Sequence, residues 1–465
     1  MNAPSPSIPT AAPGTRTRAL VDWAVAASLD DIPPATREFT KGLLLKTVAS
    51  MVIGAGEPFG RQIVGYGERT AGPSHASVVG GGYRTSLESA ALVNGTLAHQ
   101  TESEDCYFTR DTRESASTCW IFPAILSAAE HHGASGADVV AACVVAFDLA
   151  SRMLDASPTL GSVRGINTAS WFGCPAAAAG VARIMGLDAD RLGHAMSIAL
   201  SQAAGLGHQT GYDAHKLEAG HACRVGVLSA ELAAEGATGA PDFLDSGLAF
   251  APVKPDGVLR FERLDDHLGE PPFYVDQVEY KKYPACGMLH AAVDALSAQV
   301  ASGLDPDRVS AIRVEVDPIA AEYCDRPLPS TINEARFSYS FALASVLTDG
   351  RVGYDTYAPE MLVDPVRREL QGKVTVFGDA ANPPKDNGAR LDITLDDGSS
   401  VHLEVDTFLG HPNTPIPPDT MVALLRDDLA PHMPTGAIAG LTELVTGLDS
   451  QPGVGPLFDL LRDAG

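Results

Sequence analysis

The sequence predicts a mainly α-helical protein that carries a second, smaller α+β domain. Three observations predict it. Alanine and leucine recur at i, i+3 and i+4 almost without a break from Thr17 to about Glu270, alternating strand-like segments first appear after Pro271, and helical patterning returns from Pro418 to Arg462. At 465 residues the chain exceeds one ordinary core, so two or three domains are expected. The division reads as a disordered Pro/Ala/Ser/Thr-rich arm over 1–18, an all-helical domain over 19–270, an α+β domain over 271–415, and C-terminal helices over 416–465 docking back on the helical domain.

In chain order, helices are expected at Leu20–Leu29, Ala35–Val52, Leu87–Ala98, Phe122–His132, Ala137–Leu154, Pro175–Met185, Asp190–Ala204 and Val225–Glu235. Gly133, Gly186 and Gly236 are their stop signals. Stretches such as Ala176-Ala177-Ala178-Ala179-Gly180 present only small side chains, which lets helices approach closely and buries some of them on all sides. Beyond Pro271, strands are expected at Val275–Tyr280, Val309–Val316, Val374–Phe377, Leu391–Leu395 and Val401–Val405, with helices at Leu289–Val300, Phe337–Leu347 and Pro365–Leu370. Asp396-Asp397-Gly398 between two alternating runs is a hairpin turn.

Acidic residues outnumber basic ones 58 to 33, a formal charge of −25, and no basic run could follow a phosphate backbone. Nucleic acid and anionic membrane are therefore excluded as expected partners. The apolar runs are too short or too interrupted to span a bilayer, and the N-terminus has no signal-peptide core. Seven cysteines with no CxxC pair and no zinc spacing signal neither a disulfide framework nor a structural metal, which fits a reducing, cytoplasmic setting. Phosphate-loop, dinucleotide, serine-hydrolase and zincin motifs are absent.

Four stretches carry unusual polar content. Leu206 to Gly226 packs His208, Tyr212, His215, Lys216 and His221 among glycines between two alanine-rich runs. A lysine among apolar helices is suited to proton transfer or anion binding, whereas the plainer reading is a glycine-rich junction of solvated residues. Asn94 to Cys106 ends an alanine-rich helix with His99 and Glu102 on one face, followed by Glu104 and Asp105; its plainer reading is a solvated acidic helix end. Lys281 to His290 places Cys286 and His290 where a strand meets a helix, a spacing also common in cores. Asn333 to Phe341 reads by itself as a capped helix.

Taken in this order, these stretches resemble the MmgE/PrpD family, which includes 2-methylcitrate dehydratases, cis-aconitate decarboxylases and iminodisuccinate epimerases. The resemblance runs from about Ala19 to Pro417. It is carried by Ala90-Ala91-Leu92-Val93-Asn94-Gly95 with His99 and the acidic run, by Lys216 with Gly220, Ala222, Arg224 and Gly226, by Gly236-Ala237-Thr238-Gly239-Ala240-Pro241, by Lys282-Tyr283-Pro284-Ala285-Cys286 with His290, and by Glu334-Ala335-Arg336-Phe337-Ser338. The resemblance implies an all-helical domain with an inserted α+β domain, a homodimer, an active site between the domains, no cofactor and no metal. It also implies a small carboxylic acid substrate, usually a polycarboxylate, that reacts at the carbon next to a carboxylate.

Position by position the chain departs from the family pattern. The acidic run ends in Cys106 where the family has a threonine. The following family histidine falls at Ala116-Ser117-Thr118, a second falls near Asn167, and the tyrosine after Phe-Ser falls near Phe341. Lys216 matches, and His208, Tyr212, His215 and His221 are further candidates for the lost roles.

The expected activity is that of a lyase, a dehydratase or decarboxylase. Lys216 polarises a carboxylate, Glu102 or Asp105 acts with His99 as base, and His290 or Cys286 is the opposing acid; Asn167, Cys106, His208, Tyr212 and Arg336 bind substrate. The alternatives are an isomerase or epimerase, or a repurposed biosynthetic enzyme on a less charged acid, and a non-catalytic binding protein on the same scaffold.

Overall fold

The computed structural model describes residues 9–109, 114–157, 165–247, 249–250, 259–384 and 387–462. Helices α1 (Arg16–Ala26), α2 (Pro34–Gly56), α3 (Pro58–Arg69), α4 (Leu87–Ala98), α5 (Phe122–His132), α6 (Gly136–Ala156), α7 (Thr168–Ile184), α8 (Ala189–Ser201) and α9 (Asp213–Ala234) share one hydrophobic core. α1 begins inside the segment expected as an arm, because Asp245 accepts from the backbone N–H groups of Arg16 and Thr17; residues 1–8 lie outside the described ones. Gly133, Gly186 and Gly236 do take the positive φ of helix stops.

Two helices start well before the expected residue. Pro175 lies inside α7, which instead starts where the Asn167 side chain accepts from the N–H of Ser170. α9 likewise starts at Asp213 and not at Val225, so Lys216 stands in its first turn and not in a junction. At α7 the cap fixes the first turn more strongly than apolar periodicity does, whereas α9 starts after Tyr212 with no side-chain cap.

α4 and α9 cross so closely that a Cβ on Gly220 would run into the Leu92 carbonyl and the Thr96 hydroxyl. Gly220→Ala should therefore destabilise. Overpacking of roughly 1–3 kcal/mol exceeds the helix-propensity gain of up to about 1 kcal/mol. Denaturant unfolding of the variant checks it.

The second core begins at Tyr283 and ends at Phe408. Its sheet has the order β6-β5-β7-β8: β5 (Val309–Val316) runs parallel to β6 (Val374–Gly378) and antiparallel to β7 (Ala389–Leu395), which forms a hairpin with β8 (Ser400–Val405). Val309, Ile312, Val314 and Val316 of β5 face helices α11 (His290–Ala301) and α14 (Tyr339–Asp349) in this core. The segment expected as strand Val275–Tyr280 is instead a 3₁₀ turn over Tyr274–Gln277. Asp276 accepts from the Phe273 N–H to close it, and Val275 and Val278, three residues apart, both enter the first core. α16 (Pro418–Leu429), α17 (Thr435–Thr446) and α18 (Gly455–Arg462) return Met421, Leu425, Leu441 and Phe458 to that first core. Among the described residues no helix is long and apolar enough to cross a membrane.

Candidate active site

The acidic run is not a solvated helix end. α4 stops at Ala98 with His99 as its cap residue, the chain turns through Glu102 at φ +58°, and it then pairs as β3 (Cys106–Phe108) with β4 (Ser115–Ser117). His99, Glu102, Glu104 and Asp105 are each 5 % exposed or less. A non-glycine residue in the left-handed region is held there by its surroundings, here two lysines. Lys216 donates to Glu102 Oε2, while Lys281 donates to Glu102 Oε1 (3.3 Å), the Glu102 carbonyl (3.0 Å) and Glu104 Oε1 (2.8 Å).

Extended backbone after this turn sends neighbouring side chains opposite ways. Glu104 faces His99, with Oε2 3.0 Å from Nδ1, and lines a cavity of about 130 Å³ between the two cores. Asp105 points away, accepts from Lys46 (2.9 Å) and from the Lys281 N–H (2.8 Å), and is not among the lining residues. The sequence-level choice of Asp105 over Glu104 is thus corrected by a one-residue register.

Burial opposes ionisation of Glu102 and Glu104, but Lys216 and Lys281 outweigh it for Glu102, and Lys281 and His99 for Glu104. The first is held well below the usual carboxyl range and the second at about 2. Lys281, whose charge burial likewise opposes, is held well above its ordinary value by Glu104 and Glu102. Burial outweighs Glu104 at His99 and lowers the imidazole to about 4, so it is uncharged at neutral pH. Its ring lies 4.5 Å from Trp120 and 4.6 Å from His215. Glu218 faces Nδ1 of His215 at 3.2 Å and accepts from Asn167 (2.6 Å).

The structure brings His99, Glu102, Cys106, Asn167 and Cys286 to the cavity, together with His215, Ser115 and Ser117, but not all the expected residues. Lys216 is wholly buried behind Glu102. His290 packs between Tyr283 (5.1 Å) and Phe408 (5.0 Å), hydrogen-bonded to the Ala285 carbonyl, and does not line the cavity. Arg336 fastens the second domain to the first through the Gln100 carbonyl (2.7 Å) and Glu57 (2.9 Å). His208 and Tyr212 are exposed, and His221 faces an outer groove with Tyr66 and Arg224. Ala116 is buried in β4 between the two lining serines, and Phe341 lies in the second core against Tyr357.

Sequence reasoning gave no role to Lys281, Trp120, Glu114 or Tyr323, all of which line the cavity. For Lys281 a signal existed: a lysine doublet directly before Tyr-Pro, in a chain where lysine is scarce.

Among the described residues two donor sets could face a metal ion, His99 with Glu102 and His215, and His99 with Glu104 and Cys119. Their glutamates already balance Lys216 and Lys281, and burial holds the Cys119 thiol well above its ordinary value. A divalent cation here would confront two ammonium groups at close range. What the arrangement offers is a fixed cation and an uncharged imidazole at the wall of a small cavity.

Comparison with known proteins agrees with this architecture. The MmgE/PrpD N-terminal domain matches residues 18–257 and the MmgE/PrpD C-terminal domain matches residues 283–442. The chain is 25 % identical to a cis-aconitate decarboxylase of Aspergillus terreus over 96 % of each chain, and 24 % identical to that of Mus musculus over 91 % of this chain and 88 % of the other. It is 26 % identical to the cis-aconitate decarboxylase-like protein oryM of Aspergillus oryzae over 83 % and 85 % of the two chains. With both halves of the chain matched, the chain belongs to the MmgE/PrpD family.

Proposed function

We propose that the protein is a lyase of a small carboxylic acid, working by proton transfer at the carbon next to a carboxylate. The observation that carries this reading is Lys281, an ammonium held charged by two buried glutamates at the wall of a cavity that also holds an uncharged histidine. Lys281 binds a substrate carboxylate and stabilises the enediolate that forms when the neighbouring carbon gains electron density. The His99–His215 pair, oriented by Glu104 and Glu218, carries the proton. In a decarboxylation the carbon–carbon bond breaks, CO₂ leaves, and the electron pair enters the conjugated carboxylate before that carbon is protonated. Phe108, Trp120, Met288, Ile319 and Phe337 supply apolar walls that keep the charges poorly screened.

The charge balance favours a substrate with fewer carboxylates than citrate-like acids. Among the described residues, Lys216 and Lys281 are matched by Glu102 and Glu104, and His99 adds no charge. This supports the variant reading, an isomerase, epimerase or repurposed lyase on a mono- or dicarboxylate, as the second hypothesis.

Proton NMR in D₂O with a panel of mono-, di- and tricarboxylates tests both. New vinyl signals establish the lyase, exchange next to a carboxylate without elimination establishes the isomerase, and silence across the panel removes both readings. Lys216→Met should lower turnover by about 100-fold, within the range usual for one group in acid–base chemistry, because Lys281 alone then neutralises Glu102. Near-normal turnover would remove Lys216 from the site.

A further inference from the structure

We propose that Cys286 and Cys324 form an oxidant-responsive thiol pair, in which Cys286 reacts first from the cavity wall and Cys324 closes a reversible disulfide behind it. Of the seven cysteines, six are buried and Cys286 alone is half-buried, lining the cavity. Cys286 immediately precedes the turn Gly287–Leu289 that leads into α11. Cys324 is the last residue of α12 (Pro318–Cys324), which packs on that same turn and sets the two cysteines side by side at the edge of one core. Both side chains join the second core.

The two thiols are electrically unequal. The neighbouring Cys324 thiol and the Lys281 ammonium outweigh burial and hold Cys286 below its ordinary value, whereas the neighbouring Cys286, with burial, holds Cys324 well above. A reactive thiol that is accessible and acidified, beside a buried thiol that is neither, is the arrangement of a reacting and a resolving cysteine. The cavity can also receive a small polar oxidant. His99, 1 % exposed, lines it with Nε2 not engaged in a hydrogen bond.

With hydrogen peroxide as oxidant, the Cys286 thiolate attacks one peroxide oxygen, the oxygen–oxygen bond breaks, and the departing hydroxide takes a proton to become water. The sulfenic acid so formed is attacked by Cys324. The sulfur–sulfur bond forms, the sulfur–oxygen bond breaks, and the second oxygen leaves as water with the Cys324 proton. Both electrons come from the thiol pair. The link ties α12, which supplies Ile319 and Tyr323 to the cavity, to the turn beside Lys281.

Stepwise peroxide addition to the reduced protein, alkylation of the remaining thiols, and intact-mass and non-reducing peptide mapping test the pair without any substrate. The expected result is a loss of two hydrogens, one linked peptide pair containing Cys286 and Cys324, and full reversal by dithiothreitol. In Cys324→Ala, and in Cys324→Ser should the first fold poorly, Cys286 should instead be captured by dimedone. A link between any other cysteines, irreversible oxidation of Cys286 with no link, or an unmodified Cys286 while glutathione in the same tube is consumed, would each overturn the proposal.

Discussion

Lys281→Met is expected to lose about 100- to 1000-fold in turnover, the range of one preorganised electrostatic group, and to lose stability as well. Lys281 is the largest favourable influence on Glu104, which without it keeps only the uncharged His99 beside it. Breaking a buried pair from one side costs roughly 3–5 kcal/mol, less whatever Glu104 recovers by taking a proton. The two losses separate in a double variant. Lys281→Met with Glu104→Gln removes both charges and should regain much of the stability while turnover stays low. Denaturant unfolding alongside the NMR assay measures both; a double variant as unstable as the single one would show that Lys281 holds the fold by some other contact.

Acid should unfold the protein well before it protonates the site. His99 and His290 are lowered by burial to about 4 and about 3, below the 6.5 of an unfolded histidine. As pH falls below 6.5 the unfolded chain binds protons that the folded chain refuses, so stability declines with each step down. At 1.36 kcal/mol per pH unit, each histidine costs about 2 kcal/mol by pH 5. Below about 4.5 Glu104 adds to the loss, because its lowered folded value means the unfolded state takes up that proton first. His290→Phe, placed between Tyr283 and Phe408, should remove one histidine's share and flatten the decline between pH 6.5 and 4. Thermal midpoints across that range read it, and an unchanged slope in the variant would place the pH sensitivity elsewhere.

The second domain's sheet was legible because β5, β7 and β8 are covered on one face, which writes alternation directly into Val309–Val316 and its partners. The helices were legible for the opposite reason, a stripe of alanine and leucine that only a 3.6-residue period explains. Their ends were not, since the cap on Asn167 depends on a side-chain bond that periodicity does not record. In the site, His99 and Glu102 were singled out by a helical i, i+3 spacing, but α4 stops at Ala98 and the turn at Glu102, not a helix face, brings both to the cavity. Glu104 and Asp105 were not distinguishable. What separates them is the left-handed turn at Glu102, and that turn is held by lysines 114 and 179 residues further along the chain. Long-range charge pairing leaves no local pattern, so Lys281 was visible only as a lysine in a lysine-poor chain.

That same ladder of charges makes the two cores obligate companions. Lys216 stands on a helix of the first core, Glu102 and Glu104 on the loop that ends another, and Lys281 at the threshold of the second core. A severed helical half would expose its glutamates to a gap with one ammonium too few, and the other half would carry a stranded lysine at its edge. Gene fragments cut near residue 281 should therefore yield pieces that neither assemble a site nor stay soluble apart. Any recombination that exchanges one domain between relatives has to carry its matching charge across the seam.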